Sequence, residues 1–120
     1  MKVAVSAGGK DMSAVVDPRF GRAAFFLMVD TDSMEFVPLE NTQNAQAAQG
    51  AGIQAATLVA QHGPQAVLTG HCGPKAFQAL QAAGIPVFLG VSGTVEEAVK
   101  NYRRGNYEAA SAPDVSGHWG

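Results

Sequence analysis

The chain has 120 residues, 47% of them hydrophobic and 15% charged, with a formal net charge of −2. That apolar content excludes a disordered chain, and the length supports one domain with a modest core. The charge leaves no basic footprint for nucleic acid, no run approaches the roughly 18 apolar residues of a membrane span, and a single cysteine forms no internal disulfide. With too short an apolar run at the start for a signal peptide, the expected compartment is the cytoplasm.

Lys2–Ala7 predicts a first strand, with Val3 and Val5 on one face. Gly8 and Gly9 break it into a loop that continues through Asp17-Pro18-Arg19-Phe20-Gly21-Arg22. The apolar run at 23–30 suits a strand buried on both faces. A polar turn, Thr31-Asp32-Ser33, leads to a third strand over 34–41, paired with the second as a hairpin. Pro38 inside it cannot donate to a ladder, so this strand belongs at an edge.

The amide-rich stretch 41–49 reads as a mobile loop. A helix over 50–62 follows, with Ile53, Ala56 and Ala60 along one face, stopped by Gly63-Pro64. Residues 66–69 form a fourth strand. A second helix runs over 74–83, with Pro74 at its first position and Ala76, Phe77 and Leu80 buried. Residues 85–89 form a fifth strand, with Pro86 again marking an edge or a strand start. Thr94-Val95-Glu96-Glu97 is a capping box, and Val95, Ala98, Val99 and Tyr102 set the buried face of a third helix ended by Gly105. Residues 1–105 are therefore expected as one domain, and 106–120 as a loose tail unless His118 and Trp119 dock.

The first three strands are joined too tightly for crossovers, so they are antiparallel neighbours. The later strands are joined by helices, so they are parallel with right-handed crossovers. Placing the proline-bearing strands at the edges gives an α/β fold, a five-stranded mixed sheet of order 3-2-1-4-5 with helices on both faces. This is the ribonuclease H-like arrangement.

Three pieces of the sequence carry a resemblance: Asp17-Pro18-Arg19-Phe20-Gly21-Arg22-Ala23, Gly50-Ala51-Gly52-Ile53, and Gly70-His71-Cys72-Gly73-Pro74-Lys75-Ala76-Phe77 with Gly84-Ile85-Pro86-Val87. Together they resemble the dinitrogenase iron–molybdenum cofactor biosynthesis family, which includes NifX-like carriers and the C-terminal domain of NifB. Its small orange-protein branch is the most similar in length. The resemblance covers about residues 1–105 and implies a ribonuclease H-like, non-catalytic binder of metal–sulfur clusters. For the orange-protein branch the implied cargo is a molybdenum–copper sulfide cluster held without a multi-cysteine cage.

The residues themselves point to the 70–75 turn. A strand-to-helix turn leaves backbone N–H groups outward, and with the helix dipole it suits an anion. Lys75 adds positive charge, Cys72 is a soft ligand for Cu(I) or iron, and His71 is a borderline one. The place of Cys72 near a helix start would lower its pKa and favour thiolate. The same residues also fit a tight turn around an inert, buried cysteine. In the 17–22 loop, Arg19 and Arg22 can face an anion, or one can pair with Asp17 or Asp11. The cofactor-binding set expected is Arg19, Phe20, Gly21, Arg22, Gly70, His71, Cys72, Gly73 and Lys75, with Cys72 and His71 as metal ligands.

Gly50-Ala51-Gly52-Ile53-Gln54-Ala55 matches a dinucleotide fingerprint on paper, but it follows no strand, and Gly70 stands where an acid belongs. It reads instead as a helix start packed closely on its neighbours. His62, His71, Cys72 and His118 match no usual zinc spacing. A nuclease would need clustered carboxylates on the central strands, and Lys2–Ala7 has none. The expected function is carriage or storage of an anionic metal–sulfur cluster by a monomer or weak dimer, with a protein donor or recipient. The alternative is a regulatory interaction module without a cluster.

Overall fold

Every residue of β1 (Lys2–Ala7) after Lys2 is buried, a pattern that requires cover on both faces. The computed structural model, which describes residues 1–114, supplies that cover; the expectations for His118 and Trp119 lie outside it. Alternate side chains of β1 enter two cores. Ala4 joins one with Phe26, Met28, Val67 and Val87, while Val3, Val5 and Ala7 join the other with Leu27, Val29, Ala66 and Leu68.

The remaining elements are β2 (Phe25–Asp30), β3 (Phe36–Glu40), α1 (Thr42–Ala45), α2 (Ala51–Gln61), β4 (Ala66–Leu68), α3 (Pro74–Ala82), β5 (Val87–Phe88) and α4 (Val95–Arg103). The sheet order is β3-β2-β1-β4-β5, as the chain order and prolines predict. β1 and β2 pair antiparallel from Lys2 opposite Asp30 to Ala7 opposite Phe25. β4 pairs parallel with both β1 and β5. Pro38 lies on edge strand β3, opposite Leu27. The first core is closed by α2 and α3, the second by α4.

Three local readings change. Ile53 is 45% exposed, whereas Ala51, Gly52, Ala55, Ala56 and Val59 form the buried face of α2. Small residues win that face because α2 packs against both α3 and the 17–22 loop. The 41–49 stretch, expected as a loop, begins with a helical turn, α1. Buried Asn41 anchors that turn, its amide side chain donating to Ala23 O at 2.8 Å and its N–H to Ala24 O at 2.8 Å. Residues 106–110, expected to be loose, return to the sheet: Ala109 bridges Phe88, and Ala110 N–H donates to Val87 O at 2.8 Å. The outer edge of β5 offers unpaired backbone groups, and this segment takes one of them.

No helix among the described residues is long and apolar enough to cross a membrane. The capping box of α4 is complete. Thr94 Oγ1 accepts from Glu97 N–H at 3.1 Å, and Glu97 Oε1 accepts from Thr94 N–H at 2.9 Å. Hydrogen bonding from Thr94, first its backbone N–H and then its side chain, holds the Glu97 carboxyl below its ordinary value. Thr94→Ala should cost about 1 kcal/mol and lower the melting temperature by roughly 3–5 °C in calorimetry. An unchanged transition would mean that the packing of Val95, Ala98 and Val99 alone fixes the helix.

Candidate functional site

The carboxyl ends of β1 and β4 lie side by side because the two strands are parallel. At that end the chain places two hydroxyls where apolar residues would otherwise continue. Ser6 and Thr69 are both fully buried, with their oxygens 2.7 Å apart. Ser6 Oγ donates to Asp17 O at 2.7 Å, and Asp17 N–H returns a bond to Ser6 O at 2.9 Å. These bonds dock the 17–22 loop on the sheet end. Asp17 then folds the loop locally, its Oδ1 accepting from Arg19 N–H at 2.9 Å.

The loop joins the 70–75 turn backbone to backbone. His71 N–H donates to Pro18 O at 2.7 Å, Phe20 N–H donates to His71 O at 3.1 Å, and Arg19 and His71 form a parallel bridge. So close an approach requires glycine. A Cβ on Gly70 would lie 2.7 Å from Pro18 Cα and 2.8 Å from Pro18 O. On the far side of the loop, a Cβ on Gly21 would lie 2.7 Å from Gly52 Cα. Gly52 therefore serves as a contact surface for another backbone, as the helix-start reading of that motif anticipates.

The nine expected residues separate into different positions. Arg19 and Lys75 are exposed, and neither makes an ion pair among the described residues. Arg22 is turned away: its guanidinium donates to Ala45 O at 2.9 Å and Ala47 O at 2.7 Å, bracing the end of α1. Phe20 is a correction. Its ring is 0% exposed and packs on Phe26 with centroids 5.0 Å apart, so it anchors the loop in the core and presents no surface to a ligand. Gly21 and Gly70 shape the backbone. Gly73 is the N-cap of α3, with extended backbone and no side-chain cap.

Cys72 is a second correction. Its side chain is 0% exposed, and its thiol points to Gly73 O at 3.7 Å. Burial, and secondarily the Asp114 carboxylate, push the thiol up to about 12, opposite to the lowering that a helix start would give. Desolvation wins because the side chain faces the core between α2 and α3.

One contact is not visible in the sequence. Asp114 spans the turn: its Oδ1 accepts from Cys72 N–H at 3.0 Å, and its Oδ2 lies 2.9 Å from His71 Nδ1. No sequence signal links residues 42 and 43 positions apart in a stretch of small polar residues. Ser6 and Thr69 could have been suspected as hydroxyls at the ends of apolar strands.

The turn therefore gathers an uncapped helix start, the Cys72 amide and two exposed cations around a sealed thiol. This arrangement can hold an anion through charge and hydrogen bonds. It does not fit a thiolate cage, since a conventional cubane takes four cysteines and the chain has one. No group of three or more His, Cys, Asp or Glu that could hold a metal ion occurs among the described residues. A groove of about 470 Å³ opens at the opposite end of the sheet, where Lys2, Asp30, Glu35 and His62 lie, away from this turn.

The sequence pattern of the dinitrogenase iron-molybdenum cofactor family matches residues 1–105. The chain belongs to that family. It is 28% identical over 110 residues to an uncharacterised protein of Methanocaldococcus jannaschii, covering 90% of each chain. Its structure is similar to the apo form of the orange protein from Desulfovibrio gigas, at TM-score 0.92 and 43% identity over 95% of this chain and 96% of that one. A proposed NifB protein from Thermotoga is similar at TM-score 0.82 and 33% identity, covering 97% and 98%.

Gly70→Ala and Gly21→Ala should each cost about 1–3 kcal/mol in denaturant melts, because backbone must move to admit the methyl group. A neutral effect at both would show that the loops are not tightly apposed. A thiol reagent at pH 8 should label Cys72 more than a thousandfold more slowly in the folded chain than in urea. In the unfolded chain the thiol ionises near 9.0, in the folded chain near 12, so Cys72 should cost the fold stability as pH rises from 9 towards 12 and none below pH 8. Asp114→Asn should bring the thiol down but leave it above its ordinary value, since burial is the larger cause. Rapid labelling of the folded chain would contradict the sealed position.

Proposed function

We propose that this protein is a non-catalytic carrier or store for an anionic metal–sulfur cluster, held at the 70–75 turn. The observation that carries the reading is the joining of the 17–22 loop to that turn. It sets Arg19 beside His71, with Lys75 and the uncapped start of α3 following. Family membership and the likeness to the orange protein support it. The cargo would be a molybdenum–copper sulfide cluster or an iron–molybdenum precursor. Arg19 and Lys75 would supply charge, the backbone N–H groups of Cys72, Gly73 and Lys75 would donate, and His71 would make a contact at the rim. Cys72 would act from beneath, through its amide and not its thiol. The protein would receive the cluster from one protein and pass it to another during cofactor assembly, or keep it in reserve.

The experiment is anaerobic purification, followed by addition of tetrathiomolybdate with Cu(I) and gel filtration. Molybdenum and copper in fixed ratio should co-elute with the chain. Arg19→Glu with Lys75→Glu should weaken retention about tenfold and flatten its dependence on salt. Cys72→Ser should retain the colour. Loss of colour on that substitution would make the thiol a ligand. A chain that retains neither this cluster nor a reconstituted iron–sulfur cluster, while holding a partner protein, would be a regulatory module instead.

A further inference from the structure

The anion position at the start of α3 already has a negative group in it, and the chain itself provides that group. We infer that residues 109–114 form a strap whose Asp114 carboxylate occupies the cargo position in the empty protein and leaves when cargo binds. The inference rests on the carrier reading above and concerns how that same site is regulated.

The strap has a fixed end and a releasable end. At the fixed end, Ala109 bridges Phe88 and Ala110 N–H donates to Val87 O, while Ala110 packs against the core. At the other end, both oxygens of Asp114 engage the turn, one on Cys72 N–H and one on His71 Nδ1. Between them, residues 111–113 are exposed and make no hydrogen bond or ion pair among the described residues. Three such residues span about 10 Å when extended, so Asp114 can swing clear while 109–110 stay on β5.

The carboxylate and an anionic cluster make the same demand of the turn. Each draws on the Cys72 amide just before α3, and two anions in contact there would repel. Occupancy is therefore exclusive. A tethered carboxylate acts at a high effective concentration, so it lowers the apparent affinity by the fraction of time the turn is covered. The empty site keeps its buried amide satisfied, and a loaded site exchanges one acceptor for another. Release works in reverse: the carboxylate is positioned to replace the cargo as it departs, so no bare donor is left behind.

The test is an anaerobic titration of the full chain with tetrathiomolybdate and Cu(I), followed by metal retention and by amide resonances. Asp114→Ala should bind about five- to tenfold more tightly than the wild-type chain. Glu108→Gln removes an exposed carboxylate that lies just before the strap and makes no hydrogen bond or ion pair with the turn, and it should change affinity less than twofold. In the wild-type chain the Ser111 amide should shift in step with the Cys72 amide during loading. Retention by Asp114→Ala alone would also support the strap. Equal or weaker binding by Asp114→Ala, when the wild-type chain binds, would overturn the strap and leave the carrier reading intact. So would a Cys72 shift with Ser111 unmoved. If neither chain retains the anion, the carrier reading fails and the strap fails with it.

Discussion

The structure at this sheet end depends on backbone meeting backbone without side chains between. Gly70 lies against Pro18 and Gly21 against Gly52, each at a separation that no Cβ could share. These two contacts clamp one loop between a strand end and a helix start. Once the loop is clamped, its other features follow. Phe20 is driven into the core, Arg22 reaches the carbonyls of α1, and Arg19 is left outside beside His71. A short sequence thus assigns three neighbouring side chains to three different tasks.

The core supports this arrangement by keeping the sheet end stiff. β1 sits at the centre of the sheet and is covered on both sides, so its last residues cannot fray towards solvent. The buried pair of hydroxyls at Ser6 and Thr69 carries the rigidity across the gap to the loop. Unpartnered, each hydroxyl would be costly inside the protein; joined to each other and to Asp17 O, they leave no buried side-chain polar atom unsatisfied among the described residues. Polar groups inside the fold here fix position, while the apolar cores supply cohesion.

Much of the architecture was legible in the sequence because it is written in local signals. Pro38 and Pro86 mark the outer strands, Gly63-Pro64 stops a helix, and Thr94 with Glu97 starts one. Together with connection lengths, these led to the full strand order. The misreadings have a shared cause. Ile53 looked buried by hydrophobicity, yet close packing of α2 favoured alanine and glycine. Phe20 and Cys72 were expected as cofactor contacts, with a buried, inert cysteine as the other reading of Cys72, and the fold places both side chains inside. Arg22 and Asp114 act through contacts with distant backbone, and no periodicity or local spacing reports such contacts. The sequence singled out the 17–22 loop and the 70–75 turn, which the fold joins backbone to backbone; which way each residue faces was decided by tertiary packing.

The burial of Cys72 bears on how long such a molecule lasts. Oxidation of a cysteine follows its thiolate character and its exposure. Here the one cysteine lies in the apolar core, protonated and out of reach of peroxide. If the chain carries the proposed cargo, oxygen can destroy that cargo and leave this thiol reduced. A carrier built this way would come through the loss of its cargo with its one cysteine still a thiol, ready to be refilled.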